Sequence, residues 1–176
     1  MIDRPLGYGS LTRKTPVAEY RWLVMAAIAL ASILFRVYAP QFFPYVEYLR
    51  LPLLVTVYFS MMRRSPILGV FYGMGVGLVQ DALSAHALGI YGIVKTLVGY
   101  FAASVSQRFD VESQVSRMVL AFIFLVFHQV LYWILRESML GQTYSFDLTE
   151  TLVLAVLNAV VAVPLFHILD KLRIAD

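Results

Sequence analysis

Six apolar stretches, at residues 22–35, about 48–62, 67–80, 88–106, 118–135 and 148–169, follow one another with only short polar connections between them. A soluble fold of 176 residues cannot hide that much apolar surface, because no sequence is left to build the polar elements that would cover it. With about 30 Å of hydrocarbon to cross and 1.5 Å of rise per residue, each crossing consumes about 20 residues, so at most about six or seven crossings exhaust the chain. Composition agrees: 60% of residues are apolar, 14% are charged and the mean hydropathy is +0.76, against roughly a quarter charged in soluble domains. The expected fold class is an all-α integral membrane protein, a bundle of six transmembrane helices.

The first run has the length of a signal-peptide core, but Arg36 follows it directly with no small-x-small cleavage pattern, so it reads as a retained span. Before it, Arg4, Arg13 and Lys14 mix with Pro5, Gly7, Gly9 and Pro16, a composition that cannot bury an apolar face. The expected organisation is a basic cytoplasmic tail at 1–17, one six-helix membrane domain at 18–172, and a short cytoplasmic end at 173–176.

The net charge of +3 does not imply a nucleic-acid partner, because the basic residues cluster at span ends rather than on a binding face. Six spans put Arg4, Arg13, Lys14, Arg21, Arg63, Arg64, Arg108, Arg117, Lys171 and Arg173 on one side, and Arg36, Arg50 and Arg136 on the other. Basic residues are retained on the cytoplasmic side, so both termini are expected there. Lys95 falls inside the fourth span. Zero cysteines exclude a disulfide framework, a thiolate nucleophile and thiolate metal sites.

In the third span Gly69, Gly73 and Gly77 recur every fourth residue and share one helix side, a ridge without side chains on which another backbone can approach closely; Asp81 continues it. The ridge can pack within the chain or against another subunit. Asp81, at the end of that span, and Lys95, about two turns into the next, are charges that need partners in hydrocarbon, and pairing them with each other would supply one. Residues 37–48 carry Tyr38, Phe42, Phe43, Tyr45 and Tyr48 with Pro40 and Pro44, which fits a headgroup-level aromatic belt or a docking surface for a partner. His128, Gln129 and Asn158 fall near mid-depth of the last two spans, where a hydrogen bond between those helices is available to them. Pro164 predicts a kink in the sixth. His86 and His167 lie near opposite faces, so no metal centre is expected. No phosphate loop, HExxH or GxSxG motif is present, and no cofactor is expected.

From residue 51 to about 103, an apolar span is followed by Arg63-Arg64-Ser65-Pro66, then the Gly69 to Gly77 run with Leu78-x-x-Asp81, then Leu88-Gly89 and a span ending near Tyr100. This third of the chain resembles the rod shape-determining MreD family. The resemblance implies a non-enzymatic subunit of the bacterial elongation machinery, a scaffold in peptidoglycan synthesis that works with bitopic MreC, the MreB filament, the RodA glycosyltransferase and its penicillin-binding transpeptidase. It also implies a fold similar to the substrate-binding subunits of energy-coupling-factor transporters. That similarity supplies an alternative, a solute-binding subunit of a vitamin transporter, which would need an outward-opening polar pocket lined by Arg36, Asp81, Lys95 and His128. For the scaffold, Gly69, Gly73, Gly77, Asp81, Lys95, Phe42 and Phe43 are the expected partner-binding or helix-packing residues.

Overall fold

The computed structural model describes residues 21–84, 89–141 and 146–172. The expected tail at 1–17, the end at 173–176, His86 and Leu88 lie outside the described residues. Within them the regular structure is helical throughout: α1 (Trp22–Tyr38), two short 3-10 turns (Ala39–Gln41 and Pro44–Tyr48), α2 (Leu51–Arg63), α3 (Pro66–Leu83), α4 (Ile90–Ser106), α5 (Gln114–Leu140) and α6 (Leu148–Asp170). The fold is an all-α membrane bundle. Four helices are long and apolar enough to cross a membrane, namely α1 with its 3-10 extension, α3, α5 and α6. The other two fall short, α4 with 17 residues and α2 with 13.

Local chemistry sets the boundaries. Proline sits in the first turn of both α2 and α3, where a missing amide hydrogen leaves no bond unmade. Asp147 caps α6 by accepting from the Glu150 amide at 3.1 Å. Gly141, at φ +60°, ends α5 in the left-handed conformation that glycine adopts at little cost. Pro164 lies inside an α6 that continues to Asp170.

The short α2 is the centre of the bundle. Every residue from Pro52 to Met62 is buried, and the helix packs against α1, α3, α4, α5 and α6. Tyr58 and Phe59 meet at 5.3 Å between ring centroids, Tyr58 reaches Phe166 of α6 at 5.1 Å, and Phe59 reaches Tyr72 of α3 at 5.5 Å. The Tyr72 hydroxyl in turn donates to the Met25 carbonyl of α1 at 3.0 Å.

At about 1.5 Å per residue α2 is only about 20 Å long, and its beginning is anchored inside the bundle. Asn158, in the middle of α6, accepts from the Arg50 amide at 2.7 Å and donates to the Tyr48 carbonyl at 2.8 Å. Arg36, near the end of α1, donates to the carbonyls of Glu47 and Leu49. Away from water such backbone groups have to find protein partners, and these two side chains supply them. At the other end the Tyr58 hydroxyl donates to Asp170 at 2.7 Å, Asp170 pairs with Arg117, and Arg117 donates to the Val111 carbonyl. α2 and α6 therefore run parallel, with α2 starting beside Asn158, ten residues after Leu148 opens α6.

One sequence expectation changes. The hydrogen bond anticipated between the last two spans from His128, Gln129 and Asn158 is replaced by Asn158 binding the start of α2, because unpaired backbone there is the stronger demand. The aromatic segment is exposed, with Phe42 at 77% and Tyr45 at 84%, but the backbone that follows it is held by Arg36 and Asn158. It leads through residues 46–50 into the bundle.

Asn158→Leu deletes the acceptor for Arg50 and the donor for Tyr48 while leaving the residue apolar, and is expected to destabilise by roughly 2–4 kcal/mol at about 1–3 kcal/mol per orphaned buried group. Thermal unfolding of the purified protein in detergent measures it. Asn158→Asp, which keeps the acceptor, should lose less.

Candidate functional site

The motif that ran from the third span into the fourth is one physical unit. α3 and α4 lie antiparallel and make the most extensive helix pairing in the molecule. All three ridge glycines face α4. A Cβ on Gly69 would collide with the backbone of Gly99, one on Gly73 with Lys95, and one on Gly77 would sit 2.6 Å from the Gly92 Cα. The contact is reciprocal, since a Cβ on Gly99 would strike the backbone of Gly69. Backbone therefore touches backbone along the seam, which only glycine permits. Of the two uses open to this ridge, the structure takes packing within the chain. Gly75, on the other side of α3, has nothing within 4 Å of its would-be Cβ.

Asp81 closes the seam. It is buried at 1% exposure, and its carboxylate accepts from the amides of Gly89 at 3.0 Å, Tyr91 at 3.2 Å and Gly92 at 2.9 Å. The last residue of the ridge on α3 thus caps α4, supplying negative charge and acceptors to the first-turn amides that have no partner within their own helix. Gly89 holds φ +100° to bring its amide round to the carboxylate. This corrects the expected direct pairing of Asp81 with Lys95: Lys95, also 1% exposed, donates instead to the side-chain carbonyl of Gln80. Its ammonium lies 5.5 Å from the centre of the Tyr91 ring.

Beside Lys95 a small polar cavity lies where α1 ends and α2 begins, lined by Arg36, Arg50, Gln80, Tyr91, Lys95 and His128. Its volume is about 10 Å³, room for one water-sized particle and none for a vitamin. Three of the four residues named for a solute pocket line it; Asp81 does not. Gln80 had no part in the sequence reading. Arg50 was counted only as a surface charge, and nothing local in the sequence shows that the start of α2 is drawn inward. Among the described residues no three His, Asp or Glu side chains come together as a metal site would require.

Two apolar grooves mark the outer surface. One, of about 320 Å³ between α1 and α3, is lined by Trp22, Ala26, Leu30, Phe71, Gly75 and Val79 among others. The second, of about 530 Å³ between α4 and α5, is walled by Phe101, Phe109, Phe124 and Phe127. Phe42 and Phe43 lie apart from both, exposed in the 39–48 segment.

A protein-family model, described as rod shape-determining protein MreD, matches residues 18–173. No curated protein and no solved structure matches the chain.

The seam predicts a sharp positional contrast among glycines of one helix. Gly73→Ala and Gly77→Ala force backbone apart and are expected to destabilise by about 1–3 kcal/mol or more. Gly75→Ala should stay within about 0.5 kcal/mol of the parent. Thermal stability by fluorescence-detected size exclusion reads all three.

Proposed function

We infer the function from family membership: the chain belongs to the MreD family of rod shape-determining proteins, and its role is in rod shape determination. We propose that it acts as a non-catalytic scaffold in the bacterial inner membrane, binding MreC and helping to couple the MreB filament to peptidoglycan synthesis by RodA and its penicillin-binding transpeptidase. The bilayer is its other partner. The observation that supports a scaffold best is the spending of polar side chains on structure: buried Asp81 and Asn158 and partly buried Arg36 and Asp170 each hold backbone or another helix.

Orientation follows from charge. The bundle end that carries Arg63, Arg64, Arg108, Arg117 and Lys171 is the cytoplasmic one in this reading, which leaves Phe42, Phe43 and Tyr45 on the outer side, where the aromatic segment meets the headgroups. An MreC helix cannot use the Gly69, Gly73 and Gly77 ridge, which α4 already occupies. We place it in the α1–α3 groove, where Ala26, Ala29 and Gly75 leave a shallow floor for close helix approach between flanking Trp22 and Phe71.

Gly75→Leu and Ala26→Leu fill that floor and keep the spans apolar. The variants are expected at normal abundance in the membrane, with recovery of MreC on co-purification falling at least about tenfold, the equivalent of about 1.4 kcal/mol, and with loss of rod shape in cells that depend on them. Unchanged MreC recovery for both moves the docking site elsewhere. Topology has its own test: an alkaline phosphatase fused after residue 176 should be inactive, and activity there would reverse the orientation.

A further inference from the structure

The cavity at the start of α2 concentrates positive charge with no carboxylate in its lining. Arg36 and Arg50 bring guanidinium groups to it, and they and Lys95 lie within Coulombic reach of one another and of His128. Among the described residues two carboxylates act on this cluster from outside the cavity lining, Asp81 on Lys95 and Glu47 on Arg36, against three basic side chains inside it. Asp81 is engaged by three backbone amides, and Glu47 is an exposed residue of the second 3-10 turn. The ammonium of Lys95 has a neutral partner, Gln80.

His128 supplies an independent pointer. It is 1% exposed and lines the same cavity, and among the described residues neither of its ring nitrogens has a hydrogen-bond partner. The ring is held flat beside Tyr91 and Tyr132, at interplanar angles of 16° and 4°, so it cannot simply swing out to find one. An unsatisfied imidazole and clustered cations inside an apolar bundle are each costly alone. One small anion satisfies them together.

We propose that this cavity binds a single halide-sized inorganic anion, held by Arg36, Arg50 and Lys95 with an N–H of His128, which pins the 39–50 segment to the bundle. Size limits the class: a site of about 10 Å³ has room for one small particle and not for a tetrahedral phosphate or a lipid headgroup. The anion is a structural ligand, neutralising the repulsion between the end of α1 and the start of α2.

The test uses the full chain purified in detergent, exchanged into gluconate and titrated with chloride or bromide at constant ionic strength. A saturable rise in Tm is expected, of roughly 5–10 °C at a hundredfold excess over Kd. Lys95→Met and Arg50→Gln should each abolish the dependence, while Arg108→Gln, outside the cavity, keeps it. Either variant suffices should the other fail to fold. Equal Tm in gluconate and halide overturns the proposal, as does a halide effect that survives in Arg50→Gln. Stabilisation by formate or phosphate but not by halide also overturns it, and would point to a carboxylate or phosphate group as the occupant.

Discussion

The contact between the backbones of α3 and α4 is the constraint from which the rest of the bundle takes its shape. Apolar side chains give little preference between lipid and protein, so a membrane helix pair needs another reason to stay together. Here it has dispersion between two surfaces stripped of side chains, and a carboxylate from one helix that caps the other. Both features need α3 and α4 to be antiparallel and in one register. Gly69 against Gly99, Gly77 against Gly92 and Asp81 against the Gly89 amide are three statements of the same alignment, and a shift of one turn would break all of them.

Around that pair the molecule solves a second problem, a helix too short for the membrane it sits in. Because α2 is covered on all sides, its length is set by neighbours and not by bilayer thickness. Irregular backbone at depth is tolerable only where protein satisfies it, and Arg36 and Asn158 do so for residues 47–50. The same two side chains explain why the charge of Arg36 is found inside the molecule: its long stem reaches inward to carbonyls.

Much of this was legible in advance, and the boundary of legibility has physical causes. The six apolar runs appear as six helices because hydrophobic length is a local property. The glycine ridge was visible because period-four spacing is local as well, but its partner was not read, although Gly92, Gly99 and Ala103 lie seven and eleven residues apart on one side of α4. What could not be read locally is depth. Residue counting put Asn158 and His128 at one level and joined them; the inward dip of the chain before α2 gave Asn158 a backbone partner 108 positions away, a separation no periodicity reports. The Asp81–Lys95 pairing failed for a related reason, since charge counting ignores amides, and three amides at a helix start compete well with one ammonium.

That separation of 108 positions also orders events during synthesis. α2 leaves the ribosome long before α6, and until Asn158 arrives the amide of Arg50 and the carbonyl of Tyr48 have no bond to make within the protein. A 13-residue helix cannot rest across hydrocarbon while it waits, so its final seat is reached only after the last helix is in the bilayer. A chain stopped short of α6 therefore leaves the entry to α2 without the acceptor and the donor that Asn158 supplies, and only the last helix completes the seat of the second.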